Sequence, residues 1–242
     1  YKRQNGLTTE TPLRYGAAKW CDLFNARQLY GHCTAVEVYQ ELLHQEIGTG
    51  ELSAVKAAAF GYLAVAIDKT LSYNSRLCRW HSKRELVVGV FDRHDLSMYW
   101  SYAEMAPLIV GLGYDWAIEQ TSKCIKELID LIGAQDGLFK DREATGSPVV
   151  ITCEDAAHLT HIDDASIDIV VIDPPYGANV MYAELADYFY VWLKRTAGLV
   201  YPELFRSRLT DKEHEAVANP ARHEGQSNPM GRAMEDYRRK MA

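Results

Sequence analysis

Ile167-Asp168-Ile169-Val170-Val171-Ile172-Asp173-Pro174-Pro175-Tyr176 is a short β-branched run that ends in an acid, two prolines and an aromatic ring. A run of this length bounded by turn formers reads as a buried parallel strand. An acid at the carboxyl end of such a strand faces the crevice where open α/β sheets bind ligands. The prolines fix φ twice and remove two backbone donors, which leaves the carbonyls of a stiff turn to accept hydrogen bonds. With the ring of Tyr176 next in line for stacking, the arrangement suits a planar substrate bearing an amino group, such as a nucleobase.

Outward from this run, Pro148-Val149-Val150-Ile151-Thr152-Cys153 reads as a second strand, with Glu154-Asp155-Ala156-Ala157 as its turn into a helix. Asp163, Asp164 and Ser166 mark a turn into the strand at 167–172. After Gly177 and Asn179 the spacing predicts a helix over 181–195. Tyr182, Leu185, Ala186, Phe189 and Leu193 mark one face, with Tyr188, Tyr190 and Trp192 on others, aromatics more often core than base-stacking.

The stretch IDIVVIDPPYGANVMYAELADYFYVWLKR at 167–195 resembles motif IV of the S-adenosylmethionine-dependent amino-methyltransferases. It is most similar to the large adenine-specific DNA methylases of bacteria and archaea. The close match covers 148–195, and a looser one includes FNARQLY at 24–30, RLCRWHSKRE at 76–85 and FDRHDLSMYW at 91–100. The resemblance implies an α/β fold, a partial Rossmann-like methyltransferase sheet with an N-terminal helical insertion or subdomain. It implies S-adenosylmethionine as cofactor and a flipped adenine of DNA as partner. Asp173, Pro174, Pro175 and Tyr176 take the catalytic positions, while Asp155 and Ala156 fall where relatives contact the adenine of the cofactor. A plain helix N-cap is the other reading of Asp155.

The chemistry expected at the motif follows from the poor nucleophilicity of an exocyclic amine, whose lone pair conjugates with the ring. Accepting both N–H groups, on the Asp173 carboxylate and the Pro174 carbonyl, favours the pyramidal nitrogen that can attack the sulfonium methyl. Positioning and electrostatics then provide most of the acceleration. Tyr176 stacks on the target, which must be flipped out of a duplex at a cost of a few kcal/mol. Asp at the first motif position leans towards adenine N6, since Ser is commoner in the family for cytosine N4. Cytosine N4, an RNA base or a protein amide remain alternative acceptors, and a non-catalytic nucleic-acid-binding or interaction module that keeps the fold is the alternative from another class.

Composition sets the outer bounds. The 242 residues, 48% apolar and 24% charged, are ordinary for a globular protein with a sizeable core. No apolar run is long enough to span a bilayer and nothing resembles a signal peptide, so no membrane partner is expected. Five scattered cysteines without a CxxC pair favour reduced thiols and a cytoplasmic location. His158 and His161 are spaced i, i+3 but lack further ligands, so no metal is expected. A net charge of −7 argues against a stand-alone nucleic-acid binder. The charge is uneven, however: 194–242 holds ten Lys or Arg against seven Asp or Glu, a balance of +3, so the preceding 193 residues carry −10. Such a mildly basic stretch faces a phosphate backbone or is simply a solvated mixed-charge surface.

The first part of the chain reads as a helical subdomain over 1–85. Asn25 is expected as N-cap of a helix over about 26–46, with Leu29, Cys33, Val36, Leu43 and Ile47 near one face. Gly48-Thr49-Gly50 breaks it, and a second helix over about 52–72 completes an αα-hairpin. Leu52, Val55, Ala59, Tyr62, Leu63, Ala66 and Ile67 are its apolar positions. The span 86–200 is read as the partial methyltransferase domain, opening with a strand at 86–91. Residues 92–104 mix charges with aromatics, either lining a substrate groove or forming charged loops beside core rings. An apolar stretch from Pro107 ends in Gly111-Leu112-Gly113 before a helix at about 115–132, a superficial copy of a nucleotide-binding turn. No Phe-x-Gly-x-Gly string occurs, and the cofactor loop is expected upstream of Tyr1. Residues 201–242 read as a polar loop or tail, a place for target recognition. The chain is thus expected to be a fragment, inactive by itself; its oligomeric state is not legible.

Overall fold

Asn25 opens the first long helix, α1 (Ala26–Gly48), by reciprocal capping: its side chain accepts from the Gln28 amide at 2.8 Å, and the Gln28 side chain accepts from the Asn25 amide at 2.9 Å. Two of the unpaired donors of a helix start are thereby satisfied. Helix α2 (Ala54–Leu71) starts at Ser53, whose hydroxyl accepts from the Lys56 amide. The computed structural model describes residues 10–92, 94–133, 150–156 and 158–242.

The hairpin expected in the first part forms, with its apolar faces partly redrawn. Tyr39 and Leu43 of α1 pack with Phe60, Ala64 and Ile67 of α2 and with Ala197, and Leu52, Leu63, Leu193, Val200 and Phe205 flank the cluster. Val36 and Leu43 are buried as expected, whereas Ile47, Val55 and Tyr62 are exposed. The true α1 stripe runs Gln28, His32, Val36, Tyr39 and Leu43, and a count of aliphatic residues alone passes over its polar members. At Gly61 the Tyr201 ring comes within 3.2 Å of where a Cβ would stand, so glycine permits this close approach to α2.

Strands β1 (Arg79–His81) and β2 (Leu86–Val88) form a two-stranded antiparallel sheet, pairing Arg79 with Val88, Trp80 with Val87 and His81 with Leu86. The strand expected at 86–91 is thus shorter, because Val90 leaves the ladder to donate to the Ser72 carbonyl at 3.0 Å. Helix α3 spans Gly113–Gly133 and helix α4 Tyr182–Leu193. The buried residues of α4 are Leu185, Asp187, Tyr188 and Trp192; of the expected face Leu185 is buried, whereas Tyr182 and Ala186 are exposed and Phe189 is half-buried. Tyr188 is fully buried and donates to the Leu71 carbonyl at 2.9 Å. The architecture is mixed: mostly helical with this one small sheet among the described residues.

Two strand readings are corrected. Residues 150–153 and 167–172 carry no strand, and Ile169, Val170 and Val171 are 79%, 73% and 89% exposed. Residues 148 and 149 of the first expected strand lie outside the described residues. A parallel strand holds its place through ladders to its neighbours and helices on its faces. Neither is present for these runs among the described residues: no amide of 167–172 donates a backbone hydrogen bond. The turn expected at 154–157 is present at Ala156, with Ala157 outside the described residues, but no helix follows it over 158–166. The end of the chain departs in the other direction. Instead of a loose polar tail, Pro229–Met241 forms helix α5.

Chain contacts divide the molecule into two units, Tyr1–Ser122 with Met181–Lys212 and Lys123–Val180 with Glu213–Ala242. The first holds the helical hairpin, the sheet and α4; the second holds the Asp-Pro-Pro-Tyr turn and α5. Among the described residues no helix is long and apolar enough to cross a membrane.

Candidate functional site

The second unit builds the neighbourhood of the motif from its C-terminal helix. Asn228 adopts a left-handed conformation and its side chain accepts from the Gly231 amide, while Pro229 occupies the first turn of α5, where its missing N–H costs nothing. Within α5, Asp236 receives Arg239 at 2.6 Å and Lys240 at 3.2 Å. Burial pushes the Asp236 carboxyl up, but the hydrogen bonds from Lys240 and Arg239 outweigh it and hold the group below its ordinary value. The next residue, Tyr237, reaches the motif: its hydroxyl donates to the Pro175 carbonyl at 2.7 Å.

The motif itself is a surface turn. Asp173 is exposed, Pro174 and Pro175 are half-buried, and Tyr176 is 65% exposed. The Tyr176 hydroxyl donates to Asp173 Oδ1 at 2.8 Å, a contact within the turn that the sequence reading does not include. The turn closes through the Asn179 amide on the Tyr176 carbonyl at 3.0 Å, with Gly177 at φ +56°. The Gly177 carbonyl in turn accepts from the Ala218 amide at 2.9 Å. Two fixed points therefore hold the turn, Tyr237 at Pro175 and Ala218 at Gly177. Among the described residues the Pro174 carbonyl takes no donor.

Asp155 lies in an exposed stretch, with Oδ2 3.5 Å from His158 Nδ1 and its carbonyl accepting from the His158 amide at 2.8 Å. Ala156 occupies the adjoining turn and is exposed. As an accessible carboxylate Asp155 is chemically suited to accept from an amino group. His161 makes its contact with the Thr152 hydroxyl at 3.1 Å, and among the described residues no cluster of acids, histidines and cysteines fits a metal ion. All five cysteines are free thiols.

In the first unit, the glycine pair before α3 serves a packing purpose. The Gly111 amide donates to Asp115 Oδ2 at 2.6 Å, and a Cβ at Gly113 would meet the Pro107 backbone at 2.3 Å. A donor already bound to a carboxylate is not presented to an incoming anion, so this turn makes a poor cradle for one. Sequence reasoning missed Tyr237, although Asn228-Pro229 before a segment rich in Arg and Lys carried the helix-start and helix-end signals that would have placed it on α5. No family model, curated protein or solved structure matches the chain.

Proposed function

We propose that the chain carries the acceptor-binding part of a DNA adenine-N6 methyltransferase that uses S-adenosylmethionine. The observation that supports this reading most directly is the turn at Asp173–Tyr176. A solvent-facing carboxylate, an open carbonyl on a proline-stiffened backbone and an accessible ring lie within four residues. The finer fold reading, a Rossmann-like methyltransferase sheet, rests on the sequence resemblance.

In this reading one N–H of the adenine amine bonds to the Asp173 carboxylate and the other to the Pro174 carbonyl. The Tyr176 hydroxyl gives up Asp173 Oδ1 as the base enters, and its ring turns to stack on the base. S-adenosylmethionine supplies the electrophilic methyl group on its sulfonium, and the Asp155 carboxylate with the Ala156 backbone would hold its adenine end. With the amine nitrogen as the methyl acceptor, the extra proton would leave nitrogen for the Asp173 carboxylate or water. Tyr237 keeps the proline pair in place through its bond to the Pro175 carbonyl.

Incubation of the full-length protein with DNA and tritiated S-adenosylmethionine, followed by nucleoside mass spectrometry, is expected to yield N6-methyladenine. Asp173→Ala should lower transfer by about 100-fold or more, the usual cost of losing a transition-state hydrogen-bond partner. Tyr176→Phe keeps the ring and should stay within about threefold of the parent, whereas Tyr176→Ala should lose roughly tenfold as base stacking disappears. Methyl-free DNA together with no S-adenosylmethionine binding by the full-length protein would sink the enzyme reading. The second reading, a non-catalytic binding module, is favoured by the glycine pair being committed to Asp115 and Pro107. It predicts DNA binding without transfer.

A further inference from the structure

The geometry of the first unit points to a second binding site, for a mononucleotide, in a cleft between α1 and α4. This inference stands independently of the methyltransferase reading. The cleft has a volume of about 710 Å³, inside the range typical of small-molecule sites. Its walls are apolar and aromatic: Leu29 and Val36 from α1, Trp192 from α4, and Trp20 from the short turn at Trp20–Leu23. Its charged lining is one-sided. Lys194, Arg195 and Arg208 contribute three cations against a single acid, Glu37.

Those cations are not neutralised by carboxylates among the described residues. Lys194 Nζ rests on the Ser207 carbonyl at 2.6 Å, and Arg195 on the Val191 carbonyl. A carbonyl dipole orients a cation without cancelling its charge. Arg208 has no acidic partner among the described residues.

The cleft is also held in shape before any ligand arrives. The Ser207 carbonyl, adjoining Arg208, accepts from both Tyr190 Oη at 2.8 Å and Lys194 Nζ. On the other side of Arg208, buried Asp187 of α4 accepts from the Thr210 amide at 2.9 Å and pairs with Lys212 at 2.7 Å. Gln40 of α1 donates to the Arg195 carbonyl at 2.9 Å, which ties the two helices together at the charged end. Edge-on contacts with Phe24 and His32, at centroid distances of 5.5 and 5.7 Å, fix the Trp192 ring. A site whose side chains are already ordered loses little entropy on binding.

Two indoles and three uncompensated cations ask for a ligand with a planar ring at one end and an anion at the other. Arginine offers the fork of donors that phosphate accepts bidentately. The volume accommodates one nucleoside phosphate. A nucleic-acid strand needs instead a basic groove with repeated stacking platforms, and the net charge of −7 argues against one. The cationic sulfonium of S-adenosylmethionine is the wrong charge for this rim.

The test is tryptophan fluorescence and calorimetry on the 242-residue chain, titrated with AMP, adenosine, inorganic phosphate and a short single-stranded oligonucleotide. AMP is expected to bind saturably and quench tryptophan, with adenosine and phosphate each at least about tenfold weaker. Arg208→Ala should weaken AMP by roughly tenfold while leaving adenosine binding and the circular dichroism spectrum unchanged. Glu37→Gln should tighten AMP by about two- to threefold. Absence of saturable AMP binding up to about 10 mM overturns the proposal. So does equal binding of AMP and adenosine, indifference of AMP binding to Arg208→Ala, or an oligonucleotide that binds more than about tenfold tighter than AMP.

Discussion

Two buried titratable side chains in the first unit set opposite pH dependences. Asp68 on α2 is 7% exposed and its Oδ1 has no hydrogen-bond partner among the described residues. Burial pushes its carboxyl well above the usual carboxylate range. The folded state therefore keeps a proton that the unfolded chain has released, and the stability it contributes is present below the unfolded value near pH 4 and is lost as pH rises through the folded value. Asp68→Asn removes that loss, so its melting temperature should exceed the parent's at pH 8 by more than at pH 5. A uniform shift at both pH values would show that Asp68 does not titrate on unfolding. His32 works in the other direction. Its Nε2 lies 2.8 Å from the Asn74 carbonyl, which can only accept, so Nε2 carries the proton and Nδ1 is free to accept from Tyr114 Oη at 3.3 Å. Burial lowers its pKa, so stability is complete above the unfolded value of about 6.5 and declines as pH falls from there towards the folded value. The His32 ring resonances in a proton NMR titration should stay at their neutral shifts when exposed histidines have already moved.

At the level of elements, local signals were read well and long-range ones were not. Asn25 and Gln28 hold the start of α1 with bonds confined to four residues, and the sequence placed the cap correctly. The helix at α4 was legible for the same reason, while its inward face was not, since Tyr188 and Trp192 are fixed by distant partners such as Leu71 and Phe24. At 167–172 the β-branched pattern led to a strand reading that the structure does not bear out, since a strand is a relation between segments and no ladder partner accompanies the run among the described residues. In the candidate site, the contact between Asp173 and Tyr176 spans three residues and was within reach, whereas the bond from Tyr237 to Pro175 spans 62. Asp187 shows what such distant bonds contribute. It is 3% exposed and answers Thr210 and Lys212 at once. Asp187→Ala should cost about 3 kcal/mol, because a cation and an amide lose a buried acceptor together. Urea denaturation provides the measure, and Asp187→Asn, which retains an acceptor for Thr210, should cost visibly less.

On the scale of the whole molecule, order is unevenly spread. The hairpin buries Tyr39, Leu43, Ala64 and Ile67 in one cluster, and its amides are paired along two long helices. The segment leading into the Asp-Pro-Pro-Tyr turn instead exposes five aliphatic side chains over 167–172, with no ladder bonds among the described residues, although the turn itself is pinned by Ala218 and Tyr237. Protection from hydrogen exchange follows buried, hydrogen-bonded backbone. Amides of 167–172 should therefore exchange at close to their intrinsic rates while those around Val36–Leu43 and Ala64–Ile67 are slowed by about 1,000-fold or more. The same exposure makes the run a template for strand pairing between chains. Val171→Lys should then reduce light scattering of concentrated protein while leaving the melting of α1 and α2 unchanged. Strong protection of 167–172 would count against both expectations. Seen in dilute, monomeric protein, it would mean that the run finds strand partners within its own chain, and would return the motif to the end of a paired strand, where the methyltransferase reading placed it.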